Sequence, residues 1–287
     1  MSLSLNNLTF IIVTFKSEHI IRECINSLPK DSKIIIVENS QNEKLKKDLE
    51  SEYSNIEVIV QENKGMGAAN NIGIKLTKTD YAFVINPDVK FENDSIQKII
   101  DFTVKKNDYS ILAPISDDVN YPNYIIRNKD STDNKNDYLE VDSVDGFAML
   151  INKKKFVDNF YFDENFFLYL ENEDLCLRKK KEKENIYVLK TAKINHLGGR
   201  SPSHIFKKEI EYSRNWHWMW SKFYFNKKHY GYLNAYSKMI LALISSFFKF
   251  IFYLLFFNKN KSKIYKMRFL GLFNSMLGKK SWYRPQI

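Results

Sequence analysis

Through the first hundred residues, short apolar runs alternate with segments of helical spacing. Leu8–Thr14 is a continuous run rich in β-branched side chains, as in a strand buried on both faces. Between Glu18 and Leu28, the residues Ile20, Ile21, Cys24, Ile25 and Leu28 share one helical face. The alternation continues with a strand at Lys33–Val37, a charged helix over 42–53 and a strand at Ile56–Val60. A helix over 65–76 follows a glycine-containing loop, then come a strand at Tyr81–Ile85 and a helix over 95–105. Strands alternating with helices predict an α/β fold. Its central sheet is mostly parallel, helices flank both faces, and the crossovers are right-handed.

Beyond residue 117 the pattern changes. Residues 117–140 are polar and predict a loop or short irregular strands; Val141–Ile151 is apolar again around Asp145-Gly146. Residues 153–158 read as a basic turn or short helix, and strands are expected at Ile186–Leu189 and near Thr191–His196. From about 206 the spacing is helical to the end, and Met239–Phe257 is nineteen residues with one charge, Lys249. The expected division is therefore an α/β domain over 1–205 and a helical region over 206–287 with a basic tail.

Composition narrows the class. With 44% hydrophobic and 27% charged residues in 287, the chain is globular rather than disordered. The net charge of +10 is unevenly placed, with basic clusters at 179–181, 207–208, 227–228, 259–266 and 279–280. Such a tail suits an anionic surface, nucleic acid or lipid. The two cysteines, Cys24 and Cys176, have no metal-type spacing and argue for a reducing compartment. Met1–Asn7 lacks the basic-then-apolar pattern of a signal peptide, so cytosolic exposure is expected.

Candidate chemistry sits where strands stop. In Asn86-Pro87-Asp88, proline has no N–H and a fixed φ, which ends the strand and leaves the Asp88 carboxylate at its carboxyl end. In open α/β sheets that rim binds ligands, and a carboxylate there suits a divalent cation that in turn holds a diphosphate. Glu38 ends the second strand in the same way, either facing a nucleoside or serving as a capping or solvent-facing acid. Asn63-Lys-Gly-Met-Gly67 lets backbone approach a ligand, or is a plain turn. Glu171 and Asp174 share a helix face at i, i+3. They read either as a general base with a neighbour or as helix-capping acids, with Arg178 pairing Asp174. His196 is a candidate metal ligand or a structural histidine, and Arg200 is a candidate for neutralising a diphosphate.

Taken together, these stretches resemble a known family. They are Thr14-Phe15, Glu38-Asn-Ser40, Asn63-Lys-Gly-Met-Gly-Ala-Ala-Asn-Asn-Ile-Gly73, Asn86-Pro-Asp-Val89, Asp145-Gly146, Phe166–Arg178 and His196-Leu-Gly-Gly-Arg-Ser201. Over about residues 8–220 the chain resembles family 2 glycosyltransferases, especially the rhamnosyltransferase-like branch that builds bacterial surface polysaccharides. The resemblance implies a Rossmann-like GT-A fold, a nucleotide-sugar donor, a divalent metal (Mn2+ or Mg2+) and inversion at the anomeric carbon. It implies Asp88 and His196 as metal ligands. Thr14, Glu38, Asn63, Gly67, Asn70, Asn86, Asp145 and Arg200 would lie along the donor. The second carboxylate of the usual Glu-Asp pair is Asn172 here. Asn cannot abstract a proton, so Glu171 becomes the first choice for base and Asp174 the second. The acceptor would be a glycan or lipid-linked sugar.

In the C-terminal third, Trp216, Trp218 and Trp220 belong to a packed helix or an interfacial one. Met239–Phe257 is long enough to span a bilayer, or lies on it as an amphipathic or hydrophobic hairpin. The expected site of action is the cytoplasmic face of the inner membrane. Two other classes remain: an inactive sugar-nucleotide-binding homologue, suggested by Asn172, and a basic nucleic-acid-binding protein, for which no recognition motif is present.

Overall fold

The structure is a computed structural model that describes residues 3–118, 121–127, 136–196 and 206–285. It separates into two compact units, one of Met1–Asp163 with Asn172–Ser203 and one of Glu164–Glu171 with His204–Ile287.

The first unit is built on β1 (Leu8–Thr14), α1 (Ile21–Asn26), β2 (Lys33–Glu38), α2 (Glu43–Glu52), β3 (Ile56–Val60), α3 (Met66–Leu76) and β4 (Tyr81–Ile85). It continues through β5 (Val89–Phe91), α4 (Ser95–Lys105), β6 (Tyr109–Ser116), β7 (Tyr124–Ile125) and β8 (Tyr138–Glu140). β9 (Ser143–Val144), β10 (Ala148–Asn152), α5 (Glu171–Lys181) and β11 (Asn185–His196) complete it. The main sheet runs β3-β2-β1-β4-β10-β6-β11-β5, with β8 also on β11; β7 and β9 form a separate pair. β1 through β4 are parallel wherever they pair, as the unbroken apolar runs require; β10 is antiparallel to both neighbours. Apolar side chains fill both faces of the sheet: Phe10, Ile12, Phe83 and Ile85 on one, Ile11, Ala82 and Val84 on the other. At Gly73 in α3 an added Cβ would collide with Ile11 Cγ2, so glycine is what lets that helix press onto β1.

Three elements differ from the expectation, β5 among them, which the sequence pattern did not mark as a strand. β6 lies outside the predicted strands because Ser110 and Pro114 interrupt its apolar pattern. The two strands expected after 186 are one, β11, whose register against β6 shifts between Leu189 and Lys193, opposite Pro114. Proline donates no hydrogen bond, and a bulge at that point bends the strand rather than ending it. The first half of β11 therefore pairs with β8, and its last three residues pair with β5.

The second unit holds α6 (Lys207–Tyr230), α7 (Tyr232–Leu255) and α8 (Lys259–Met276). Gly231 at φ 89° separates the first two helices. Met219, Phe223, Ala235, Met239 and Leu272 form its central cluster. A Cβ on Gly271 would collide with the Trp216 carbonyl, so this glycine sets how closely α8 meets α6. Trp216 and Trp220 are buried, and His217 is held by Ser281 Oγ and the Tyr283 carbonyl while stacking on Phe167. Burial pushes the His217 imidazole down to about 3. Among the described residues α7 is the one helix long and apolar enough to cross a membrane.

Candidate active site

The registers Thr14↔Glu38 and Ile12↔Ile85 bring the carboxyl ends of β1, β2 and β4 to one rim. β4 stops at Pro87 as its chemistry demands. The Asn86 N–H donates to the Phe147 carbonyl at 2.9 Å, and the Val89 N–H to the Asn86 carbonyl at 3.2 Å, closing a tight turn. β5 leaves that turn and pairs antiparallel with the end of β11, setting His196 opposite Val89. Asp88 and His196, 108 positions apart by their numbers, thus meet with Oδ1 and Nε2 3.5 Å apart. The Phe147 ring stacks on the imidazole at 3.9 Å and holds its plane.

Asp145 approaches the same rim from β9. Its backbone N–H donates to the Asn123 carbonyl at 2.9 Å. The fully buried Asn123 amide accepts from the Ser116 N–H and donates to the Pro114 carbonyl, so it pins this loop to β6. Burial raises the Asp145 carboxyl above the ordinary range; the charge of His196 and a hydrogen bond with the Tyr121 hydroxyl oppose the rise. Asn172, which stands where the resembled family usually carries an acid, donates its amide to the Val144 carbonyl at 2.9 Å. Its Cβ lies 3.3 Å from where a side chain on Gly146 would begin. The amide holds the turn that carries Asp145.

The remaining residues fall into distinct groups. Thr14 and Asn70 are buried, and Thr14 Oγ1 and Asn70 Oδ1 have no hydrogen-bond partner among the described residues. Asn63 accepts from the Gly65 N–H at 3.1 Å, forming the turn that opens α3; Gly65 sits at φ 108°, and Gly67 is buried in the first turn. Glu38 is turned into its own loop. Its carboxylate accepts from the Ser40 N–H at 2.9 and 3.0 Å, from the Ser40 hydroxyl, and from the Asn42 N–H at 2.7 Å. Asp174 is fully buried and accepts from Arg178 Nε at 3.0 Å; Arg178 also donates to the Phe160 and Tyr161 carbonyls. Glu171 opens α5 and belongs to the second unit. Two left-handed residues precede it, Tyr169 at φ 72° and Leu170 at φ 68°. Non-glycine residues seldom adopt that conformation, and consecutive ones mark a constrained segment. Arg200 lies outside the described residues.

Asn123, Tyr121 and Phe147 are the site residues that sequence reasoning did not assign a role. Asn123 and Tyr121 lie in a polar stretch without period, where nothing separates a pinning amide from a loop amide. Phe147 matters only through a contact 49 positions away, counted by the two residue numbers.

Among the described residues no cluster of three or more His, Cys, Asp or Glu forms a ready-made metal cage. The Asp88–His196 pair nonetheless fits a divalent cation. One carboxylate oxygen and one imidazole nitrogen converge at a ligand-binding rim, and Mg2+ or Mn2+ is often held by one or two protein groups plus substrate phosphates.

Comparison with solved structures defines the fold. The chain is similar to GalNAc-T7 determined with UDP, GalNAc and Mn2+, at TM-score 0.56 and 12% identity over 74% of this chain and 51% of that one. It is similar to residues 1–349 of S. aureus TarS in complex with UDP-GlcNAc, at TM-score 0.53 and 14% identity over 97% and 93%. The fold is GT-A, with an added helical segment. The pattern of glycosyl transferase family 2 matches residues 9–160, more than half the chain, and the protein belongs to that family. It is similar to the low-salt glycan biosynthesis hexosyltransferase Agl10 of Haloferax volcanii, 25% identical over 63% of this chain and 64% of the relative. It is also similar to the rhamnosyltransferase WbbL of Escherichia coli, 27% identical over 58% and 75%. The match to Agl10 thus spans less than two thirds of that relative's length.

Proposed function

We propose that this protein is a metal-assisted, inverting glycosyltransferase. It moves a hexose, rhamnose being the first candidate, from a nucleoside-diphosphate donor to a hydroxyl of a glycan or lipid-linked acceptor in surface polysaccharide synthesis. Membership of glycosyl transferase family 2 supports the reaction class, and the two relatives support the sugar class. One observation carries the mechanism: Asp88 and His196 meet at 3.5 Å on the carboxyl rim of the parallel strands.

When bound there, a divalent cation supplies charge neutralisation to a departing diphosphate. The rest is the work of the chain. Thr14 Oγ1 and Asn70 Oδ1 are buried polar atoms that a donor can satisfy, which favours ligand binding over an empty rim. The Asn63–Gly67 turn admits backbone close to the donor. Asp145, held by Asn123 and Asn172 and hydrogen-bonded by Tyr121, orients sugar hydroxyls. Glu171 takes the proton of the attacking acceptor hydroxyl as its oxygen displaces the diphosphate in a single step. Asp174 is spent on Arg178 and serves as a structural acid. Glu38 shapes the loop beside the nucleoside rather than touching it with its carboxylate. Asn172 does not mark an inactive homologue on this reading, because it holds the Asp145 turn and Glu171 remains.

A thermal-shift screen of nucleotide sugars with and without Mn2+ tests the proposal, starting with deoxythymidine-diphosphate-rhamnose. Binding at 100 times Kd adds about 2.7 kcal/mol, or roughly 5–10 °C for a chain of this size. The expected shift requires Mn2+ and disappears in Asp88→Ala. A shift of equal size without metal, or none with any donor, overturns the reading.

A further inference from the structure

The charge of this chain is segregated. Residues 212–287 hold fourteen Lys and Arg and not one Asp or Glu, so the residues before them carry a net −4 against the overall +10. Within that acid-free segment, α7 leaves one face uncovered. Leu233, Ile240, Leu241, Ile244, Phe248 and Leu255 recur at helical spacing, and Leu233 and Leu241 are 82% and 75% exposed. The opposite face, Ala235, Met239 and Ser246, is buried against the other helices. Only 11% of the most apolar window of α7 is covered.

Length alone would let α7 cross a bilayer, but its packing argues otherwise. α8 returns antiparallel along the second half of α7, where Phe247 meets Phe269 and Tyr253 stacks on Tyr265 at 5.5 Å. Ser262 Oγ donates to the Phe250 carbonyl, which ties the two helices. That stretch of α8 carries Lys259, Lys261, Lys263, Lys266 and Arg268. Lys249, in the middle of the apolar window, lies over the Tyr265 ring at 5.3 Å. A spanning α7 would drag these charges into hydrocarbon, where ionised side chains are costly. An α7 lying in the interface keeps them at headgroup level while its outer stripe enters the acyl region.

We infer that the second unit binds an anionic lipid surface with α7 lying in the plane of one leaflet. The apolar stripe supplies insertion, and the basic residues around it, of which Lys263 is paired with Glu209 at 3.1 Å, supply attraction to negative headgroups. This inference stands independently of the glycosyl-transfer reading, since it uses none of the rim residues.

Site-directed spin labelling of the full chain on vesicles tests it. Both native cysteines are buried, with burial raising the Cys176 thiol to about 12, so new cysteines label selectively. Leu233→Cys, Leu241→Cys, Phe248→Cys and Leu255→Cys are labelled singly and bound to phosphatidylglycerol–phosphatidylcholine vesicles. All four labels should report one shallow depth, roughly 5–10 Å below the headgroups. Binding should fall severalfold from about 0.1 M to about 1 M salt, as screening predicts, and should be weak on pure phosphatidylcholine. Leu241→Ser with Phe248→Ser should reduce sedimentation with vesicles at least tenfold. Depths that progress through the bilayer centre would show a spanning helix and overturn the inference. So would equal binding to neutral vesicles, labels immobilised in a dimer without lipid, or retention by nucleic acid in place of vesicles.

Discussion

Glu38 and Asp88 look alike in the sequence: each is an acid directly after a buried parallel strand, on the same rim of the sheet. The structure treats them oppositely. Glu38 folds back, and its oxygens accept from two backbone N–H groups and a hydroxyl within four residues. Asp88 is followed directly by β5, whose antiparallel pairing with the end of β11 brings the carboxylate to His196. The difference teaches that the chain following a strand-end acid decides where its carboxylate is committed. Local donors settle that question, and Ser40 and Asn42 supply them for Glu38.

The comparison breaks most visibly under substitution of the poised acid. Asp88→Ala should lower turnover by about 10³-fold, in line with the loss of one strong electrostatic contact at a developing charge. Its thermal midpoint should fall less than that of Glu38→Gln, because the Asn86–Val89 turn keeps its backbone hydrogen bonds while the 3.5 Å pairing with His196 is lost. Release of nucleoside diphosphate from the donor measures the first, calorimetry the second. A large fall in midpoint with activity retained would reverse the roles assigned to Asp88 and Glu38.

Glu171→Gln comes next. Removing a general base costs about 10²–10⁴-fold in kcat, while donor affinity should hold, since Glu171 is assigned to the acceptor. Unchanged kcat would return the base to Glu173 or Asp174, and the latter would first have to leave Arg178.

Glu38→Gln should show the opposite profile. An amide presents two donors to N–H groups that need acceptors, leaving buried polar groups unsatisfied at about 2 kcal/mol. That corresponds to a fall in Tm of roughly 4–8 °C. Activity measured well below the midpoint should drop less than tenfold. A catalytic loss as deep as that of Asp88→Ala at unchanged stability would restore Glu38 to direct contact with the donor.

The same contrast explains what the sequence disclosed. The parallel half of the sheet was legible because each of β1 to β4 is a buried run punctuated by a helix, and burial on both faces leaves no other reading. Asp88 was legible because Pro87 fixes where a strand must stop. β6 was not, since Pro114 breaks the apolar run, yet a bulge in its partner absorbs the missing donor. The i, i+4 pairing of Asp174 with Arg178 was among the open alternatives, and local spacing was enough to raise it. Asn123 was invisible: its amide pins two segments through contacts that no period encodes. Asn172 read as a lost acid, whereas its bond to the Val144 carbonyl depends on where β9 ends, which the apolar Val141–Ile151 run did not reveal.

A final test carries the rule into the second unit, where His217 is the counterpart of Glu38. Its imidazole is committed to Ser281 Oγ and the Tyr283 carbonyl, and burial lowers it from 6.5 to about 3. The folded state therefore holds it neutral, while the unfolded chain protonates it near 6.5. A lowered histidine contributes stability that is present above the unfolded value and lost as pH falls toward the folded one. Between pH 6.5 and 5.5 this group alone should remove about 1 kcal/mol. Chemical denaturation across that interval measures it. His217→Gln, less stable at neutral pH, should lose that part of the slope. An identical slope in wild type and variant would mean that the imidazole is not committed as its partners indicate, and that a satisfied group can be misread from burial and hydrogen bonds alone.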